Sequence, residues 1–135
     1  MARRFIEEFD SGYHSKYLLY YHLVIVTKYR KKVLDAECYD VISRIFVDLS
    51  TEFNVRLCEL NGEGDHVHIL LTAAPQTDLP KFIGRLKGKS SYIIRRLKPD
   101  LMSLKALWSG SYCLLTTGGA PIDVVKRYII SQGRR

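Results

Sequence analysis

A short turn between two alternating segments is the feature that most limits how this chain can fold. Residues 55–60 alternate between apolar and polar side chains, as a half-buried β-strand does, and residues 64–71 begin a second strand-like pattern. Residues 61–64, Asn-Gly-Glu-Gly, lie between them, and Asn-Gly is a strong signal for a tight hairpin turn. The two segments are therefore expected to pair as neighbouring antiparallel strands.

The second strand of this hairpin carries two histidines, His66 and His68, on either side of Val67. Because successive side chains of a strand point to opposite faces, the two imidazoles share one face, while Val67 and Ile69 can anchor the strand in a core. Two imidazoles placed in this way can bind one divalent cation or a phosphate. A histidine pair on a sheet face is also common without any function, so the pair alone indicates a metal site only weakly.

The patterns on either side of the hairpin predict the remaining elements of the domain. Residues 17–27 are rich in aromatic and β-branched side chains and predict a central strand, and residues 108–117 predict a fourth strand. Apolar residues recur at helical spacing in residues 35–53 and 79–97. The order β-α-β-β-α-β predicts an α+β domain of the ferredoxin-like, split βαβ type, with the histidines on the sheet face that the two helices leave open.

A further helix is predicted after the Gly-Gly pair at 118–119, because Pro121 and Asp123 suit a first helical turn. In that helix Tyr128 and Gln132 lie at positions i and i+4 and therefore share one face. A phenol beside a neutral amide ligand, facing two histidines, fits a metal-assisted phosphoryl-transfer site. A terminal helix with a tyrosine is usually only a packed helix, so this interpretation depends on the rest of the chain.

Composition narrows the classes of function. The 135 residues fit a single domain, 1–135, and no apolar run reaches the roughly 18 residues of a membrane span, so a cytoplasmic protein without a membrane anchor is expected. The three cysteines, Cys38, Cys58 and Cys113, are widely spaced and odd in number, which predicts buried thiols and no disulfide framework. The 21 Lys and Arg against 14 Asp and Glu, a net charge of +7, favour a polyanionic partner such as nucleic acid.

The basic residues are clustered, as a binding surface requires. The predicted helix at 79–97 contains six cations and no acid, and although a basic helix face is usually only solvated, phosphate contact is the better interpretation here. Gly84 and Gly88 weaken this helix by about 1 kcal/mol each relative to alanine, which suggests a close approach by another group. Tyr29 and Tyr92 are candidates for stacking on bases, although core burial is the commoner role of a tyrosine. The candidate DNA-binding residues are Lys28, Arg30, Lys31, Arg85, Lys87, Lys89, Ser90 and Arg95.

Five short stretches, in order and spread over nearly the whole chain, match one known family. They are Lys28-Tyr29-Arg30, residues 64–71, Leu86-Lys87-Gly88, Leu107-Trp108-Ser109, and Tyr128 with Gln132 four residues later. The histidine pair is a weak signal alone, but the five stretches together are specific. On these residues the sequence resembles the small single-tyrosine HUH transposases of the IS200/IS605 insertion sequences.

The resemblance implies a transposase that cleaves and rejoins single-stranded DNA at the hairpin-bearing ends of its own element. It implies that His66, His68 and Gln132 hold Mg²⁺ or Mn²⁺, and that Tyr128 is the nucleophile that forms a 5′-phosphotyrosine link. It also implies a homodimer in which the tyrosine helix of one chain serves the histidines of the other, acting at the nucleoid of a prokaryotic cell.

Other functions remain open from the residues alone. A non-catalytic module of the RRM type would bind single strands through aromatic residues on the open sheet face, but the chain has no recognisable RNP1 pattern, and binding alone does not explain Tyr128 and Gln132. A domesticated HUH nuclease that cuts single-stranded repeats would carry the same residues as a transposase. A hydrolytic metalloenzyme acting on small molecules is disfavoured by the positive charge.

Overall fold

The computed structural model describes residues 10–11, 16–17 and 19–116; the predicted final helix with Tyr128 and Gln132 lies outside these residues. Two short strands near the start, β1 (Asp10–Ser11) and β2 (Lys16–Tyr17), pair with each other. The main elements are β3 (Tyr20–Thr27), α1 (Ala36–Phe53), β4 (Val55–Gly62), β5 (His66–Ala73), α2 (Leu79–Leu97) and β6 (Trp108–Thr116). Short 3₁₀ turns, Lys28–Arg30 and Pro99–Ser103, follow β3 and α2.

The four long strands form one antiparallel sheet in the order β4-β5-β3-β6. This confirms an α+β domain with a four-stranded antiparallel sheet and two helices, and it places β3 and β5 at the centre. The turn between β4 and β5 begins after Gly62, later than the Asn61-Gly62 signal predicts. Asn61 and Gly62 continue the β4 ladder opposite His68 and Val67, so the chain reverses after them, where Gly64 has a φ of 93°.

Both helices start at a capping aspartate. The carboxylate of Asp35 accepts a hydrogen bond from the backbone N–H of Cys38 at 3.1 Å, and Asp78 caps α2 in the same way through the N–H of Lys81 at 3.1 Å. Asn54 ends α1 in the left-handed conformation, with a φ of 55°. These local signals fix the helix bounds close to those the sequence predicts.

Strand alternation divides the sheet into two different faces. The main core, packed against both helices, takes every second residue of the central strands, including Leu23, Ile25, Val67, Ile69 and Leu71. On the opposite face, Val24 and Val26 form a separate small cluster. His66 and His68 alternate with core residues of β5, so they lie on this second face, away from the helices.

Composition predicts buried thiols and no membrane span, and the structure bears on both expectations. All three cysteines are free thiols, but only Cys38 is buried, while Cys58 and Cys113 are half-buried. Their predicted burial is therefore confirmed for one residue of three, because β4 and β6 are the edge strands of the sheet. Within the ranges that the structure describes, neither helix is long and apolar enough to span a membrane.

Candidate active site on the sheet face opposite the helices

His66 and His68 stand on β5, a strand bonded to neighbours on both sides. His68 lies opposite Val24 of β3 and Asn61 of β4. His66 is buried, with 7% of its surface exposed, whereas His68 is half-buried. Because hydrogen bonds on both sides hold the backbone of β5, the two imidazoles have little freedom other than rotation of their own side chains.

The carboxylate of the preceding residue holds the ring of His66. Nδ1 of His66 lies 2.9 Å from Oδ1 of Asp65. An ionised carboxylate only accepts hydrogen bonds, so Nδ1 carries a proton and donates it to Asp65, and Nε2 takes no part in this bond. Burial opposes ionisation of Asp65, but the hydrogen bonds from His66 and Arg30 outweigh it, and the pKa of the carboxyl lies below its usual value.

His68 has a different partner, a histidine that the sequence analysis did not single out. Nδ1 of His22, on β3, lies 2.8 Å from Nε2 of His68. Burial lowers the pKa of both imidazoles, against a smaller opposing effect of Glu59, so both rings are neutral at neutral pH. The alternation of β3 indicates that His22 lies on the face of His66 and His68. Leu23 and Ile25, one and three residues further along the strand, face the core.

A tyrosine from the helix layer fixes the turn that leads into His66. The Tyr39 hydroxyl on α1 donates to the backbone carbonyl oxygen of His66 at 3.0 Å and accepts from the backbone N–H of Gly64 at 2.8 Å. Gly62 leaves room for this arrangement, since a Cβ there would lie 2.1 Å from the carbonyl oxygen of His66 and 2.6 Å from the Tyr39 hydroxyl oxygen. Gly62 and Gly64 therefore allow the Tyr39 hydroxyl to hold the backbone of His66 in place.

The donors on this face fit a divalent cation only in part. Within residues 10–11, 16–17 and 19–116, no three His, Cys, Asp or Glu side chains come together as a metal site. Imidazoles bind metal ions in their neutral form, and these two need oxygen donors to complete a site for Mg²⁺ or Mn²⁺. Gln132, the predicted third ligand, and Tyr128, the predicted nucleophile, lie outside the described residues.

Most of the candidate DNA-binding residues lie away from the histidines. Four cations of this set are on α2, which packs on the other side of the sheet: Arg85, Lys87, Lys89 and Arg95. Arg85 reaches Glu52 at 3.3 Å, and Lys87 donates to the backbone oxygen of Ser109 at 2.8 Å. The guanidinium of Arg95 donates to the backbone oxygens of Leu101, Met102 and Leu104.

Ser90, a predicted DNA contact, lies buried beneath β6, with 1% of its surface exposed. Its hydroxyl donates to the backbone oxygen of Leu86 at 2.6 Å and accepts from Nε1 of Trp108 at 3.0 Å. Ser90 therefore satisfies a buried indole N–H and packs the helix against the sheet. Ser90 follows Lys89 in the sequence, but its side chain lies on the inner face of α2.

The remaining candidates are more accessible. Lys31 and Lys89 are exposed, and the half-buried Lys28 holds its ammonium 5.5 Å from the centre of the Tyr29 ring. Tyr29 and Tyr92 are 73% and 64% exposed, so the usual core role of a tyrosine does not apply to them.

The two glycines of α2 do not accommodate a neighbouring element of the fold. A Cβ at Gly84 or Gly88 would meet no described atom within 4 Å. The close approach that these glycines suggested is therefore not made by the part of the chain that the structure describes.

Comparison with known proteins gives a consistent result over most of the chain. The family model "Transposase IS200 like" matches residues 15–132. The chain is 35% identical over 131 residues to the ISDra2 transposase TnpA of Deinococcus radiodurans, which covers 93% of this chain and 91% of that protein. It is 32% identical over 108 residues to the transposase for insertion sequence element IS200 of Salmonella typhimurium, with 78% and 71% covered.

Solved structures show the same similarity in three dimensions. The crystal structure at 1.90 Å resolution of a Deinococcus radiodurans R1 protein assigned as a transposase superposes with a TM-score of 0.80 at 36% identity, covering 91% of this chain and 97% of that one. A REP-associated tyrosine transposase, bound to a REP hairpin, superposes with a TM-score of 0.58 at 12% identity, covering 87% and 68%. The second similarity concerns the fold alone.

Proposed function

Because this chain belongs to the IS200-like transposase family, we propose that it cleaves and rejoins single-stranded DNA at the hairpin-bearing ends of an insertion sequence. The observation that carries this proposal is the histidine pair on a central strand, on the sheet face opposite the two described helices. The matched region, residues 15–132, includes Tyr128 and Gln132. The strand order supports a ferredoxin-like scaffold, to which a C-terminal helix would bring the tyrosine.

Tyr128 is the proposed nucleophile. Its phenolic oxygen would attack the phosphorus of the scissile phosphodiester, and the bond from phosphorus to the 3′ oxygen would break as that oxygen takes up a proton. The products are a 5′-phosphotyrosine link and a free 3′-hydroxyl group. The covalent link conserves the phosphodiester, so a different 3′-hydroxyl can attack it and join a new strand without ATP.

His66, His68 and Gln132 are the proposed ligands of Mg²⁺ or Mn²⁺. A bound cation supplies charge neutralisation at the non-bridging oxygens of the scissile phosphate and sets the line of attack. The bond from Nδ1 of His66 to Asp65 supports the ligand role of His66, because it leaves Nε2 for the cation. The lowered pKa of His68, caused first by burial, supports a neutral ring. Because its Nε2 is bonded to His22, this ring would bind the cation through Nδ1 in the arrangement described.

The proposed partner is single-stranded DNA that folds into a hairpin. The REP-associated transposase of similar fold was solved with such a hairpin, which supports this choice. The exposed Lys31 and Lys89 supply charge for phosphates, and the exposed rings of Tyr29 and Tyr92 supply surfaces for unpaired bases. A homodimer with the tyrosine helix acting in trans belongs to the same proposal.

A covalent-capture experiment tests this function. The full chain is incubated with labelled single-stranded DNA from both flanks of its gene in the presence of Mn²⁺ or Mg²⁺, and the products are separated on a denaturing gel. We expect a protein–DNA band that disappears with Tyr128→Phe or a chelator and persists with Tyr92→Phe, an exposed tyrosine on α2. Tight DNA binding without such a band would favour a non-catalytic binding module, while cleavage of dispersed repeats instead of element ends would indicate a domesticated nuclease.

A further inference from the structure

We propose that Asp65, held in place by Arg30, is the positioning residue that prepares His66 to bind the cation. This inference rests on the proposed role of His66 as a ligand and adds two residues that act through it. Asp65 and Arg30 are 35 residues apart in the chain, yet their side chains meet directly behind the ring of His66.

The two oxygens of the Asp65 carboxylate have separate partners. Oδ1 accepts the hydrogen bond from Nδ1 of His66, and Oδ2 accepts from Arg30 through Nε at 3.0 Å and Nη2 at 2.8 Å. With both oxygens bonded, the carboxylate cannot rotate without breaking one interaction. The ring of His66 is therefore held in one plane, with Nδ1 donating to Asp65 and Nε2 left out of this bond.

The backbone around Asp65 is fixed as well. Its carbonyl oxygen accepts the backbone N–H of Thr27 at 2.9 Å and the Thr27 hydroxyl at 3.2 Å. Thr27 ends β3, so this contact joins the start of β5 to its central neighbour. Asp65 thus has little freedom in either its backbone or its side chain.

Arg30 reaches Asp65 from an uncommon backbone conformation. Tyr29 and Arg30 both have positive φ, at 60° and 54°, which is unfavourable for residues other than glycine. The bend turns the Arg30 side chain inward, where it is 17% exposed, instead of outward as a phosphate contact would require. Such backbone strain persists only where surrounding contacts compensate for it, and the ion pair with Asp65 is one such contact.

A purely structural ion pair is the competing explanation, and it makes different predictions. Removal of a structural pair would lower the free energy of unfolding and leave the metal affinity and ring proton of His66 unchanged. Removal of a positioning residue changes both, because the proton on Nδ1 is free to move to Nε2 once the acceptor is lost. Partners that orient ligand histidines in this way typically contribute roughly tenfold to a hundredfold in metal affinity.

The first test measures Mn²⁺ binding to the full chain by electron paramagnetic resonance. We expect Asp65→Ala to weaken binding by about tenfold to a hundredfold, and Asp65→Asn to weaken it as well, because the single amide oxygen can face Nδ1 of His66 or Arg30 but not both. Arg30→Lys keeps the charge but loses the two-pronged contact, so it should also weaken binding. Asp40→Asn, at an exposed acid paired with Arg44, is the matched control and should bind as wild type does.

The second test reads the ring itself without metal. Long-range ¹H–¹⁵N correlation spectra of the ¹⁵N-labelled protein report which ring nitrogen of His66 carries the proton; we expect Nδ1 in the wild type and a mixture in Asp65→Ala. If Asp65→Ala does not fold, the Asn and Arg30→Lys variants decide. Folded variants with wild-type affinity and an unchanged His66 spectrum would overturn the inference. Wild-type protein that binds no Mn²⁺ would instead overturn the proposed metal site, and this inference with it.

Discussion

His22 on β3 and His68 on β5 share a hydrogen bond across the sheet, with Nδ1 of His22 2.8 Å from Nε2 of His68. The two rings are nearly parallel, with an angle of 12° between their planes and 5.0 Å between their centres. The bond fixes the plane of the His68 ring through its Nε2, whereas the Asp65 carboxylate fixes that of His66 through Nδ1, so a cation would bind His68 through Nδ1 in this arrangement. Each of the two histidines thus has its own orienting partner.

Replacing His22 by phenylalanine tests this partnership, because the substitution keeps an aromatic ring and removes Nδ1. We expect the dissociation constant for Mn²⁺ to rise by about tenfold, since nothing then holds the His68 ring in its plane. Isothermal titration of the full chain measures the change. His22→Asn, whose amide takes the position of Nδ1, should retain most of the affinity. Tighter binding by His22→Phe would show that His22 competes with the cation for Nε2 of His68.

Gly62 is expected to tolerate no side chain. A Cβ there would lie 2.1 Å from the carbonyl oxygen of His66 and would also displace the Tyr39 hydroxyl. Gly62→Ala should therefore lower the free energy of unfolding in urea by about 1–3 kcal/mol, the usual cost of overpacking. Gly84→Ala is the control, because its Cβ meets no described atom within 4 Å and should stabilise α2 by about 0.5–1 kcal/mol. Equal stabilities of Gly62→Ala and wild type would contradict this account of the turn.

The sequence was sufficient to place the histidines because their position depends on a local rule. Alternation with Val67 and Ile69 puts His66 and His68 on the face opposite the core in any antiparallel sheet of this kind. The same kind of rule failed at Asn61-Gly62, where a turn-forming pair continues a strand because its ladder with β5 outweighs the local preference.

Local sequence patterns could not predict the residues that bond to the histidines and to Asp65. His22 meets His68 across 46 residues of sequence, and Arg30 meets Asp65 across 35, so both contacts depend on which strands become neighbours. A basic cluster indicates charge and not direction, so the sequence does not distinguish a phosphate contact of Arg30 from its bond to Asp65. The positive φ at Arg30 that turns its side chain inward has no signal in composition or spacing.

The stability of the helix layer should depend on an acid at the start of α1. Nζ of Lys98, just after α2, lies 2.6 Å from Oδ2 of Asp35. The hydrogen bond from Lys98, and after it that from the backbone of Cys38, lowers the pKa of Asp35 from 3.8 to about 2. Since the folded pKa is below the unfolded one, this stabilisation is present above about pH 4 and is lost as the pH falls towards 2. Asp35→Asn should therefore lower the urea midpoint at neutral pH, and its difference from wild type should shrink over that window; a difference independent of pH would contradict this.

Ser90→Ala should affect stability and not DNA binding. The substitution leaves the buried Nε1–H of Trp108 without its acceptor, 3.0 Å away in the wild type, at a cost of about 1–3 kcal/mol. Urea unfolding followed by the fluorescence of Trp108, the only tryptophan in the chain, measures that loss directly. Ser91→Ala, at the next position on α2, is the control and should change little. A Ser90→Ala variant of full stability and weakened DNA binding would restore the role predicted from the sequence.

Lys87 and Lys89 lie two residues apart on α2 and should contribute differently to DNA binding. The ammonium of Lys87 donates to the backbone oxygen of Ser109 at 2.8 Å, and burial lowers the pKa of Lys87. This ammonium therefore already has a partner within the protein. Lys89 is exposed and available to a phosphate.

Each phosphate contact to a single strand contributes about 0.7 to the slope of log K against log salt. Lys89→Gln should flatten that slope by about this amount, measured by fluorescence anisotropy with a labelled hairpin strand at several salt concentrations. Lys87→Gln should instead lower the urea midpoint and leave the slope nearly unchanged; the reverse pattern would show that Lys87 leaves Ser109 to bind DNA.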